Sequence, residues 1–86
     1  MRYKVIEFKG ISIFMLPEMV KYETVSVEFQ DCKGTVSALD GFVSDGNLPE
    51  AIVEKVRALL TLFRPEIRGN YALMEKGLRP REFDLF

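Results

Sequence analysis

The sequence predicts an α+β domain: an antiparallel meander of three or four strands followed by a kinked pair of helices packed on one face of the sheet. Apolar and polar residues alternate in the first half of the chain, and after residue 47 the apolar residues follow helical spacing. The 86 residues suffice for only one core. We therefore expect a single domain over residues 1–86, with a β-meander over 1–46, helices over 47–78 and an extended tail over 79–86.

The first strand region is apolar on both faces. Residues 5–8 and 11–16 are rich in β-branched and aromatic side chains, and we expect Lys9 and Gly10 to form a bulge or bend within one long strand. A strand with two apolar faces is typical of the centre of a sheet. Pro17 ends the strand.

The clearest strand signal lies in residues 23–30. Val25, Val27 and Phe29 alternate there with polar residues, which is the pattern of a strand with one solvated face. Residues 31–34 should form the following turn, because their glycine can adopt a positive φ.

A further hairpin is predicted around Asp40 and Gly41. This dipeptide is favoured in two-residue type I′ turns, and residues 35–39 and 42–44 on either side have strand character.

The first helix should begin near Asn47. This residue can cap a helix three positions before Glu50, and Pro49 suits the first turn. The apolar residues that should face the sheet are Ile52, Val56, Leu59, Leu60 and Phe63.

A second helix should begin at Pro65, because proline removes a backbone donor and restricts the preceding residue. Gly77 should cap the end of this helix, and Gly69 should weaken its middle. The apolar stripe of the second helix consists of Ile67, Tyr71 and Met74, followed by Leu78.

Composition argues against catalysis. Histidine is absent and Cys32 is the only cysteine, so the usual general base, the imidazole metal ligand and an internal disulfide are all missing. We predict no catalytic residue, no bound metal and no cofactor. Without an apolar run of about 20 residues or a signal peptide, we expect a cytoplasmic protein that does not enter membranes.

Charge is distributed unevenly along the chain. Residues 1–54 hold five basic and nine acidic side chains, whereas residues 55–81 hold seven basic and two acidic ones. Arg57, Arg64 and Arg68 would form one stripe on an unbroken helix, which Pro65 weakens. With Lys76, Arg79 and Arg81, the stripe could bind an acidic protein or, as the alternative, nucleic-acid phosphates.

Apolar side chains provide the second candidate surface. The two helices can cover only one face of the sheet, so Phe14 and Leu16 on the other face should contact a partner protein, a second copy of the chain or the aromatic tail. The aromatic residues of the tail, Phe83 and Phe86, are candidates for the same role.

Three motifs resemble the bacterial family called domain of unknown function 4160. The family motifs are a strand with Phe-x-Gly-Ile-x-Ile-x-Met, a helix start with Gly-x-Leu-Pro, and a helix end with Arg-x-Glu-Leu-x-x-Asn-Trp-x-Leu-x-x-x-Gly. They correspond to FKGISIFM at residues 8–15, GNLP at 46–49 and RPEIRGNYALMEKG at 64–77. The likeness spans roughly residues 5–86.

The resemblance implies an α+β fold without a settled activity. Relatives of that kind usually carry His-x-His-Val near the second strand, whereas residues 21–25 here read KYETV. The family looks like part of two-gene cassettes of the toxin–antitoxin kind. We therefore expect a non-enzymatic protein-interaction module of such a cassette, or alternatively a phage or mobile-element inhibitor that blocks a host protein complex.

Overall fold

The computed structural model describes residues 1–37 and 45–83, which form a five-stranded antiparallel sheet followed by two helices. The strands follow one another in the sheet in chain order. They are β1 (Tyr3–Phe8), β2 (Ile11–Met15), β3 (Thr24–Phe29), β4 (Cys32–Ser37) and β5 (Asp45–Gly46). A 3₁₀ helix (Pro17–Tyr22) joins β2 to β3, and the helices are α1 (Glu50–Leu62) and α2 (Arg64–Glu75). The predicted α+β meander is confirmed.

Residues 5–16 form a hairpin, so the prediction of one long strand is wrong. Phe8 pairs with Ile11, which leaves Lys9 and Gly10 as a two-residue turn with φ values of 48° and 83°. Two positive φ values match the twist of the flanking strands. A real irregularity lies elsewhere, at Val5, where the pairing of β1 with β2 shifts.

The turn after β3 lies earlier than predicted. Phe29 pairs with Cys32, so Gln30 and Asp31 form the turn and Gln30 adopts the positive φ of 53°. The predicted turn residues from Cys32 onward belong to β4 instead. Close packing requires glycine at Gly46, which pairs with Gly34, because a Cβ at Gly46 would lie 2.6 Å from the Gly34 Cα.

The hairpin predicted around Asp40 and Gly41 lies outside the described residues, apart from residues 35–37 at the end of β4.

The core lies between one face of the sheet and the helices. Alternate residues of β2 and β3 are fully buried, and α1 and α2 contribute their apolar stripes to the same cluster. Each such side chain stabilises the fold by about 1.5–3 kcal/mol through removal from water. The fully buried side chains include Ile6, Ile13, Met15, Val25, Val27, Val36, Val56 and Ile67.

The opposite face of the sheet is largely polar, and its predicted contact with a partner stays a prediction. Ser12, Ser26 and Glu28 lie on this face with Phe14, whose ring is only 9 % exposed. The Arg2 guanidinium covers that ring at 4.0 Å from its centroid and also pairs with Glu28. A long cationic side chain therefore completes this face from within the chain.

The first helix begins without the predicted side-chain cap. Pro49 occupies the N-cap position, and no side-chain hydrogen bond caps the helix. Asn47 instead binds the sheet: its Oδ1 accepts the Lys33 N–H at 2.9 Å, and its own N–H donates to the Lys33 carbonyl at 3.1 Å. Asn47 thus extends the edge of β4 because its amide substitutes for a strand partner there.

The helices meet at Phe63, which has a φ of −104° and a ψ of 28°. The Phe63 N–H donates to the Leu59 carbonyl at 3.0 Å, and the Ile67 N–H donates to the Phe63 carbonyl at 2.9 Å. Pro65 has no N–H to continue this ladder, so the chain bends between the helices. This agrees with the predicted kinked pair.

Gly77 ends α2 as predicted, with a φ of 76°. The Gly77 N–H donates to the Met74 carbonyl and the Leu78 N–H to the Leu73 carbonyl, each at 2.9 Å, which is the hydrogen-bond pattern of a Schellman cap. The same reversal removes Leu78 from the buried stripe, leaving its side chain 53 % exposed. The prediction that Leu78 continues the stripe is therefore wrong.

Candidate functional site

A buried amide holds the C-terminal tail against α2. Asn70 is 2 % exposed, and its Nδ2 donates to the Arg81 carbonyl at 2.9 Å while its Oδ1 accepts the Arg81 N–H at 2.8 Å. The side chain therefore pairs with the main chain of residue 81 as a neighbouring strand would. Both polar atoms of a buried amide need such partners, since an unsatisfied one costs about 1–3 kcal/mol.

The tail also contacts the edge of the sheet. The Phe83 N–H donates to the Val5 carbonyl at 2.8 Å, at the irregularity of β1. The Phe83 ring stacks on Phe63 with centroids 5.7 Å apart and planes inclined by 22°, and Pro80 is buried. Main-chain hydrogen bonds and two side chains thus position the tail between β1 and α2.

A groove of about 520 Å³ opens between α2 and the tail. Its apolar surface comes from Phe63, Leu73 and Phe83, and the α2 side is open at Gly69, where an added Cβ would meet no atom within 4 Å. Concave surfaces with apolar walls and a few polar groups are typical binding sites. The polar and charged side chains that line the groove are Glu66, Asn70, Arg81 and Glu82.

Helical geometry separates the groove from the predicted arginine pair. Arg64 and Arg68 lie one turn apart on α2 and, with Pro65, line a second, shallower depression. At 3.6 residues per turn, Glu66 and Leu73 lie on the opposite side of this helix. The two surfaces of α2 can therefore be altered independently.

The three-arginine stripe does not form, because Arg57 lies on α1 and the chain bends at Phe63. The remaining predicted cations are dispersed between the end of α2 and the tail. Lys76 follows the last turn of α2, the Arg79 guanidinium lies 5.8 Å from the centre of the Tyr3 ring, and Arg81 lines the groove.

Several of these cations have no acidic partner among the described residues. In the described part of the chain, carboxylates lie within 4 Å of Arg2 and Lys4. Over residues 1–37 and 45–83, none lies so close to Arg64, Arg68, Lys76 or Arg81. No described carboxylate therefore neutralises these four charges directly.

The predicted apolar contact residues that the structure describes lie in different surroundings. Phe14 is covered by Arg2 and Leu16 is partly buried before the 3₁₀ helix, and their role as partner contacts stays a prediction. Phe83 lines the groove. Phe86 lies outside the described residues.

Two pKa shifts report on local packing. Burial, reinforced by the charge of Glu23, raises the pKa of Tyr71 far above its ordinary value, and its hydroxyl donates to the Thr24 carbonyl at 3.1 Å. This bond ties α2 to the start of β3. On the polar face of the sheet, hydrogen bonds from Ser12 and Lys4 lower the pKa of Glu7.

Sequence reasoning missed Asn70, Phe63 as a stacking partner, and the groove walls at Glu66, Gly69 and Leu73. A signal for Asn70 was present: it follows Ile67 by three positions and precedes Met74 by four, so it occupies the buried stripe of α2. A polar residue in such a stripe indicates a buried hydrogen-bond partner.

Clustered metal ligands and membrane-length helices are absent from residues 1–37 and 45–83. No group of three or more potential metal ligands occurs among them. Cys32, predicted to lie in a turn, is partly buried in β4. None of the described helices is both long and apolar enough to cross a membrane.

Comparison of the chain with protein-family models, characterised proteins and solved structures finds no match in any of the three. The resemblance to the domain of unknown function 4160 family stays a prediction.

Proposed function

We propose that the chain is a non-enzymatic protein-interaction module that binds its partner in the groove between α2 and the tail. The groove itself is the observation that carries this proposal. It combines apolar walls at Phe63, Leu73 and Phe83 with an open side at Gly69, so a partner could insert an apolar side chain without displacing the core.

Charge supports the same assignment. Arg81 lies on the groove without an acidic partner among the described residues, so it can pair with a carboxylate of the bound protein. The biological setting we propose is a toxin–antitoxin-like cassette or, alternatively, the inhibition of a host protein complex by a phage or mobile element. Both settings require a stable contact surface rather than a reaction centre.

Substitution at Gly69 tests the proposal. Gly69→Phe should fill the groove, whereas Gly69→Ala should leave most of it open and stabilise α2 by up to about 1 kcal/mol. Ala72→Phe is the matched control, because residue 72 is exposed on the same helix but does not line the groove.

The measurement is affinity purification of the tagged chain from its own cells, followed by quantitative mass spectrometry. The unmodified chain, Gly69→Ala and Ala72→Phe should recover equal amounts of a partner. Gly69→Phe should recover at least about tenfold less, which is the loss expected when a central contact worth about 1.4 kcal/mol is removed. Equal recovery with all four chains would contradict the proposal.

Nucleic-acid binding is a second candidate because Arg64 and Arg68 line one depression without a described acidic partner. Phosphate binding there should weaken steeply with salt and be lost in the Arg64→Glu, Arg68→Glu double variant. The Lys21→Glu, Lys55→Glu double variant is the control for net charge, because it reverses two charges at exposed lysines that do not line this depression. A gel shift with duplex and single-stranded probes at two salt concentrations decides between the two functions.

A further inference from the structure

The tail is bound mainly through its backbone. Asn70 exchanges two hydrogen bonds with the main chain of Arg81, and the Val5 carbonyl accepts the N–H of Phe83. None of these three bonds involves a tail side chain. The surfaces that hold the tail are therefore suited to an extended peptide as a class of ligand.

Two tail side chains add selectivity. Pro80 is buried, and the Phe83 ring stacks on Phe63 at 5.7 Å. A proline followed three residues later by an aromatic residue is consequently the pattern that this cleft accepts. We define the tail cleft as the Asn70, Phe63 and Val5 surfaces that contact residues 80–83.

We infer that the tail cleft is a peptide-binding site that a second copy of this chain can fill with its own residues 80–83. The second copy is the occupant that the contacts specify, because it offers the same backbone, proline and phenylalanine. The segment joins α2 through Gly77, at a φ of 76°, and the exposed Leu78. Rotation at these two residues would redirect the tail while leaving the core of each copy unchanged.

Exchange of tails between two copies preserves every contact of the tail. Protein concentration and the geometry of the segment that joins α2 to the tail therefore decide between the intramolecular and the intermolecular arrangement. The tail cleft shares Phe63 and Asn70 with the groove proposed above, and Arg81 and Phe83 of the tail also line that groove. The two experiments remain separable, because the partner assay varies Gly69 whereas the peptide assay varies Phe83 and contains no partner protein.

Complementation between two full-length variants tests the inference. Asn70→Asp damages the cleft but keeps an intact tail, because a carboxylate cannot donate to the Arg81 carbonyl. Phe83→Ala damages the tail but keeps an intact cleft. Only the mixture contains both an intact cleft, from Phe83→Ala, and a free intact tail, from Asn70→Asp. The mixture should therefore form a heterodimer, detected by native mass spectrometry, whereas each variant alone should stay monomeric.

A second measurement does not depend on the folding of the cleft variant. A fluorescent peptide of residues 78–83 should bind the Phe83→Ala chain at least about tenfold more tightly than the unmodified chain, whose own tail occupies the cleft. The same peptide with alanine in place of its phenylalanine should bind neither chain.

Heterodimer in the mixture, or tighter peptide binding to Phe83→Ala, supports the inference. The inference would be overturned if the mixture stays monomeric and the peptide binds both chains with equal affinity. It would also be overturned if the peptide with alanine in place of phenylalanine binds as well as the original peptide.

Discussion

Phe14 and Phe83 are two aromatic residues that the sequence assigns to the same role, and the structure treats them differently. Arg2 covers Phe14 at 4.0 Å and, together with Glu28, closes the polar face of the sheet. Phe83 stacks on Phe63 but remains partly exposed and forms a wall of the groove. An aromatic ring is thus available for contact only where its own chain leaves it incompletely covered.

Truncation of the two rings should give unequal losses of stability. Phe14→Ala should lower the free energy of unfolding by about 3 kcal/mol, because a nearly buried ring leaves a cavity. Phe83→Ala should cost about half as much, since its ring is already partly solvated. Urea denaturation monitored by circular dichroism measures both, and equal losses would refute the distinction between the two sites.

Removal of the Asn70 amide should separate the tail from the rest of the molecule. Asn70→Ala should cost about 2 kcal/mol, from two lost hydrogen bonds at about 1 kcal/mol each. Hydrogen exchange should accelerate at the amides of Arg81 and Phe83 and remain slow in β2, where Phe14 lies. Uniform acceleration across both regions would show that the tail does not open as a separate unit.

Tyr71→Phe should change how stability depends on pH. The raised pKa of Tyr71 means that its contribution to stability is complete below pH 10 and is lost as the pH rises above that value. The unmodified chain should therefore lose up to about 1.4 kcal/mol more per pH unit than the variant in this alkaline range. At pH 7 the variant should be about 1 kcal/mol less stable, because the bond to Thr24 is missing.

Thermal unfolding followed between pH 8 and pH 11 checks the prediction for Tyr71. The other tyrosines and the lysines are common to both chains, so their titration cancels in the difference. Parallel pH profiles of the two chains would contradict a buried, neutral phenol at this position.

The smallest expected effect concerns the cover of Phe14. Arg2→Ala should lower stability by about 0.5–1 kcal/mol through loss of the cation–π contact and the partly exposed ion pair. Part of this loss should disappear at high salt, whereas the loss caused by Phe14→Ala should not. Arg79→Ala, which removes the longer 5.8 Å contact with Tyr3, is the matched control and should cost less.

Much of the fold could be predicted from local patterns. The alternation of Val25, Val27 and Phe29 locates β3, and the positions of Pro65 and Gly77 locate the bend and the end of α2. The hairpin at Lys9 and Gly10 was missed because two apolar faces can equally indicate one long central strand. The turn depends on positive φ at both residues, and lysine gives no indication of this in the sequence because non-glycine residues rarely adopt it.

The candidate site was harder to predict because its parts are distant in sequence. Arg81 and Phe83 are among the predicted contact residues, whereas the α2 residues that line the same groove, Glu66, Gly69, Asn70 and Leu73, are not. Asn47 shows the same difficulty: capping is a local role, whereas its actual partner is Lys33 in another strand.

By itself, the sequence determined the α+β class, the strand and helix periods, the helix bend and the excess of positive charge after residue 54, because these depend on neighbouring residues or on composition. Only the tertiary structure decided that Arg2 covers Phe14, that Asn70 holds Arg81 and that a groove opens beside Gly69. Such pairings arise when the packed core brings distant segments together, and no local spacing encodes which segments will meet.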